Sequence, residues 1–200
     1  MKHLVLGLMG MAIVLSMGCG LKKPNRVDAP TIDGSAAGAA AVKLYDKNGN
    51  GKIDGAELKD APALNSVLKS LDTNGDGAID AGEIATRIQG WADTKVGLTC
   101  PMISFTFKGK PMKAGSVTLK PVPFLAEYLK EAKGDIIDGS CNPTSEGNQE
   151  NLPGMALGFY DIIIENAQPK LPADGKWGVE ISDLNPMLQE TGGSYQIELK

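Results

Sequence analysis

The residues best equipped for chemistry stand in two short blocks, DKNGNGKIDGAE from Asp46 to Glu57 and DTNGDGAIDAGE from Asp72 to Glu83. Each carries an oxygen-bearing side chain at its first, third, fifth, ninth and twelfth places and a Gly at the sixth. A hard cation takes many oxygen ligands at about 2.3–2.6 Å, and a loop of this spacing supplies them in chain order. Gly51 and Gly77 stand at the turn, where a left-handed backbone costs glycine nothing. A single block of this kind could be an Asx-rich turn. Two complete blocks, each with an apolar eighth residue (Ile53, Ile79) and a closing Glu, argue for a bound ion.

The pattern resembles the EF-hand, and the resemblance implies a set of calcium ligands. In the first loop these are Asp46, Asn48, Asn50, the Lys52 carbonyl, Asp54 and Glu57; in the second they are Asp72, Asn74, Asp76, the Ala78 carbonyl, Asp80 and Glu83. The eighth places are where EF-hand pairs join through a short two-stranded ladder. The ligand set carries three carboxylates in the first loop and four in the second, and Lys47 and Lys52 further weaken the first site.

Helices must flank these loops. Ala36 to Tyr45 is Ala-rich and helix-prone despite Gly38. Leu64, Val67, Leu68 and Leu71 form one apolar stripe entering the second loop. Pro62 suits the first turn of that helix, with Asp60 as its cap. Ile84, Ile88 and Trp91 line one face of the helix that leaves the loop. Only residues 58–71 separate the loops, so the helix leaving the first is about one turn long and ends near Ala61. Dockerins also pack two calcium loops tightly, but theirs usually end in Asp and lack a helix entering the first loop.

From Thr94 the pattern turns to short strands: Ile103 to Phe107, Ser116 to Val122, Leu157 to Glu165, Trp177 to Ile181 and Ser194 to Leu199. Gly- and Pro-rich turns between them predict a β-sandwich, with a short helix over Phe124 to Ala132. FKGKPMKAGSVTLKPVPF and LGFYDIIIE resemble strands of carboxypeptidase-regulatory-like, or transthyretin-like, domains, which implies a non-catalytic structural or binding sandwich. The expected fold class is α+β multidomain: a small helical EF-hand pair (36–93) followed by an antiparallel β-sandwich (98–200).

The start of the chain reads as an export leader (1–18), with Lys2 ahead of an apolar run from Leu4 to Leu15. Cys19 after Gly18 resembles a bacterial lipoprotein cleavage site, although Ser16 stands where that family usually has Leu. The resemblance implies a lipid on Cys19; ordinary cleavage nearby and an uncleaved anchor remain open. Residues 19–35 read as a flexible tether. In an exported chain Cys100 and Cys141 most simply pair as a disulfide, with free buried thiols as the alternative.

Composition excludes several function classes. The one His of the chain is His3, inside the leader, which removes Ser-His-Asp, Cys-His and zinc-hydrolase machinery. A formal net charge of −4 supplies no basic face for nucleic acid. The expectation is therefore an exported calcium-binding lipoprotein of the cell envelope, not an enzyme, whose partners are Ca²⁺, a membrane through its N-terminal lipid, and an unnamed protein or envelope component. The alternative is a calcium-dependent adhesion or dockerin-like docking module. The paired loops are expected to act as a structural clamp, with residues 36–93 partly unfolded without calcium while the sandwich barely notices.

Overall fold

A computed structural model describes residues 27–147 and 152–200. Cys19, the leader and part of the tether lie outside the described residues. Among those described, no helix is long and apolar enough to cross a membrane.

The Asp33 side chain accepts the Ala36 N–H at 2.9 Å and so starts helix α1 (Gly34–Tyr45). The first loop follows, containing strand β1 (Lys52–Ile53), and it leaves through a 3₁₀ turn (Glu57–Lys59), the single turn expected from the short spacing. The helix expected to enter the second loop is split into α2 (Pro62–Asn65) and α3 (Leu68–Leu71). Its apolar stripe still faces inward, with Leu64, Val67 and Leu71 buried. Pro62 takes the first turn as expected, but Asp60 is not the cap; its carboxylate is held by two lysines. Strand β2 (Ile79–Asp80) and helix α4 (Ala81–Thr94) complete the pair, and Ile84, Ile88 and Trp91 are buried along one face of α4.

Strands β3 (Ile103–Phe107), β4 (Lys110–Pro111), β5 (Ala114–Pro121), β6 (Ala132–Ile137), β7 (Ser140–Cys141), β8 (Gly158–Gln168), β9 (Trp177–Ile181) and β10 (Tyr195–Leu199) form the second half. Helix α5 (Pro186–Thr191) links the last two. The strands run β10-β3-β7-β6-β5-β8-β9 in one hydrogen-bonded sheet, with β4 beside β3. The expected antiparallel β-rich half is thus a single curled sheet. Its pairings are antiparallel except for β10, which lies parallel to β3 from Tyr195↔Ile103 to Leu199↔Phe107. The helix expected over Phe124 to Ala132 is one 3₁₀ turn (Pro123–Leu125), because Ala132 onward pairs with β5.

One hydrophobic cluster serves both halves, running from Ala41 and Leu64 through Trp91 to Phe159, Val179 and Ile181. Four rings mark the seam. Tyr45 meets Phe124 edge-on at 6.4 Å, Phe124 meets Phe159 at 6.4 Å, and Phe159 meets Trp91 at 4.8 Å. The backbones also touch: a Cβ on Gly178 of β9 would lie 2.3 Å from the Ala63 nitrogen of α2. Ile32, which the sequence places in the tether, packs against the same cluster.

Candidate metal centres

The two loops fold alike, because each builds its turn on the carboxylate at its first place. Asp46 accepts the N–H groups of Gly49, Asn50 and Gly51 at 2.6, 3.3 and 2.8 Å. Asp72 accepts those of Gly75, Asp76 and Gly77 at 2.7, 3.2 and 2.8 Å. Wrapping three amides around one carboxylate needs a left-handed sixth residue, and Gly51 and Gly77 supply φ of 83° and 80°. The third and fifth places repeat the match. Asn48 and Asn74 accept from the amides of the fifth residues at 3.0 and 2.9 Å, and Asn50 and Asp76 accept from those of the seventh at 2.9 and 3.0 Å.

The closing glutamates are buried, each about 6% exposed, and backbone amides hold them in place. Glu57 accepts from the amides of Lys47, Asn48 and Asp54 at 2.7, 3.1 and 3.1 Å. Those bonds, led by the Asp54 N–H, hold its carboxyl below the usual range. Glu83 accepts from Thr73, Asn74 and Asp80 at 2.8, 3.4 and 3.0 Å. Asp80 returns the bond by accepting the Glu83 N–H, a reciprocal capping box that starts α4. The first loop differs here: the Glu57 N–H bonds the Asp54 main-chain carbonyl at 2.8 Å, and Asp54 Oδ2 takes the Asn50 amide at 2.7 Å. That is why the first loop exits in a 3₁₀ turn and the second in a full helix.

Ile53 and Ile79 pair across the antiparallel β1–β2 ladder, both fully buried, which joins the loops at the expected places. Among the described residues no three Asp, Glu, His or Cys side chains gather about one point. The side chains that build each loop are instead a mixture of carboxylates and amides. An all-oxygen set of that kind, with neither thiolate nor imidazole, fits a hard divalent cation of the calcium type.

Charged neighbours depart from expectation. Lys47 reaches Asp60 rather than a ligand, and Lys176, from the β8–β9 connection, holds the same carboxylate at 2.8 Å. Lys176 first and Lys47 second pull the Asp60 carboxyl down to about 2. Lys52 leaves its own loop altogether, and its ammonium pairs with Asp76 of the second loop. That bond holds the Asp76 carboxyl below its ordinary range and the Lys52 ammonium above its own. The sequence offered a signal for none of these three pairs, since each joins residues on different elements.

Cys100 and Cys141 are both free, which corrects the expected disulfide. Cys141 stands opposite Ile103 in the β7–β3 register, and Cys100 lies three residues before Ile103 in the chain. At about 3.3 Å per extended residue that offset is about 10 Å, beyond the roughly 7 Å a disulfide can span. The Cys100 thiol lies 3.5 Å from the Pro153 carbonyl instead.

No curated protein and no solved structure matches the chain. The family model described as EF hand matches residues 43–60 and 64–86. In family match and in loop geometry alike, residues 43–86 are an EF-hand pair.

Proposed function

We propose that this protein is an exported calcium-binding protein in which the two loops act as a structural clamp on the sheet. The single observation that carries the reading is the pairing of two matched EF-hand loops with a hydrophobic cluster shared between helices and sheet. A calcium sensor swings its helices apart to expose an apolar groove. Here α4 carries Glu83 at its start and Trp91 in the common core, so an ion at the second loop steadies a helix that the sheet already grips. The sheet serves as a non-catalytic binding platform, a role that fits the resemblance of its strands to carboxypeptidase-regulatory-like domains and the absence of His after residue 3.

Export and a lipid on Cys19 belong to the same proposal, supported by the leader composition alone. Outside the cytoplasm, EF-type modules bind calcium at about 10⁻⁴ to 10⁻³ M and stay filled where the ion is abundant.

Thermal melts with calcium and with chelator test the clamp. Calcium raises Tm, and helix and sheet signals move together in one transition. A dye-binding apolar surface that opens when calcium is added to a folded protein would sink the clamp and favour a sensor. Mass spectrometry of the mature N-terminus tests the lipid.

A further inference from the structure

Lys52 serves both loops at once. Its main-chain carbonyl stands at the seventh place of the first loop, while its side chain crosses the β1–β2 ladder to the fifth place of the second. The ammonium sits on Asp76 Oδ2. Oδ1 of the same carboxylate accepts the Ala78 N–H at 3.0 Å, so Lys52 takes the oxygen other than the one that holds the Ala78 amide. Nothing reciprocates: Ala78 occupies the seventh place of the second loop, and no side chain from there reaches the first.

We propose that Lys52 is an internal competitor for the second calcium site: its ammonium must leave Asp76 Oδ2 before an ion takes that oxygen, so the first loop sets the affinity of the second. The inference rests on the reading that these loops hold calcium. Both partners are partly open to water, at 39% and 34% side-chain exposure, so Lys52 can swing away without unfolding the ladder. An ion pair of this exposure shifts an equilibrium by roughly two- to fivefold.

The test is calorimetric titration of the purified protein with CaCl₂, comparing wild type with Lys52→Met, Lys52→Gln and the exposed control Lys69→Met. Both Lys52 variants should tighten the second site two- to fivefold and Lys69→Met should leave it unchanged. In an Asp76→Asn background, the effect of Lys52→Met should shrink, because the carboxylate that the ammonium touches is gone and only its longer-range pull on Asp80 and Glu83 remains. A second readout uses no affinity: the Lys52 side-chain ¹³Cε resonance, assigned by its loss in Lys52→Met, should shift on calcium addition while that of Lys69 stays. An unchanged second site, an equal gain in Lys69→Met, or a Lys52 effect of undiminished size in Asp76→Asn overturns the competition. Those results leave the calcium reading intact, whereas a wild type that takes up no calcium overturns both.

Discussion

Arg87 of α4 grips Glu180 of β9 in a two-bond fork, Nε to Oε1 and Nη2 to Oε2, each at 2.7 Å. The Glu180 side chain is wholly buried and that of Arg87 is 12% exposed. Trp91 adds its indole N–H to Oε1 at 2.8 Å, and the Asn185 amide donates to the Glu180 main-chain carbonyl at 2.8 Å. Arg87 also reaches Ser70 Oγ and the Leu184 carbonyl, at 3.2 and 3.0 Å. Helix pair, sheet and the approach to α5 therefore meet around one Arg87–Glu180 pair. A buried charge left without its partner costs about 3–5 kcal/mol. Arg87→Met is expected to lower the unfolding free energy by about that much, read from denaturant melts followed by fluorescence and far-UV circular dichroism. Loss below 1 kcal/mol would show that the fork is not what joins the halves.

The second loop is expected to bind calcium more tightly than the first. Its ligand set holds Asp72, Asp76, Asp80 and Glu83 against Asp46, Asp54 and Glu57, and ligand charge tunes affinity. Calorimetry on Glu57→Gln and Glu83→Gln decides the order, with Glu83→Gln removing the tighter event. Ion binding adds stability as RT ln(1 + [L]/Kd), about 2.7 kcal/mol at a hundredfold excess over Kd. The shared core spreads that gain over both halves, in place of the expected sheet that barely notices calcium.

The two thiols should react at different rates. Cys100 is exposed, whereas Cys141 is buried, and burial pushes its thiol up to about 11. A thiol reagent added to the native protein should modify Cys100 promptly and Cys141 only with unfolding, as peptide mapping would show. Failure of both to react under denaturing conditions without reductant would restore the disulfide.

Gly38 explains itself in the contact between α1 and α4. A Cβ there would stand 2.2 Å from the Ala81 carbonyl oxygen, so the helices must part to admit one. Gly38→Ala, which helix propensity alone would favour, is expected to destabilise by about 1–3 kcal/mol through overpacking. An increase in Tm for this variant would contradict the close approach.

Asp60 sets an acid limit. Its folded pKa, about 2, lies below the ordinary 3.8 because Lys176 and Lys47 hold the ionised form. The stabilisation is complete above the unfolded pKa and is lost as pH falls from about 4 through about 2. Asp60→Asn is therefore expected to melt below wild type near pH 6, with the gap closing towards pH 2. A gap that is constant over that range would rule out the charge pairing.

What the sequence determined by itself is local. The spacing of Asp, Asn, Gly and Glu is enough to form both loops, because their amides and carboxylates lie within a dozen residues of each other. The alternation in Ile103–Phe107 and Trp177–Ile181 likewise marked those strands to the residue. Tertiary structure decided everything that joins distant segments: Lys52 on Asp76, Lys176 on Asp60, Arg87 on Glu180, and the parallel pairing of β10 with β3. It also turned Ala132, the expected end of a helix, into the start of strand β6, since β5 offered an open ladder, and kept the two cysteines apart. Glu180 shows the reason most plainly. In WGVEI it reads as the polar face of a half-exposed strand, yet Val179, Glu180 and Ile181 are all buried because α2 packs against β9 and α4 supplies Arg87 and Trp91 to the carboxylate. Period-two reading assumes one wet face, and which face stays wet is settled only when another element packs against it.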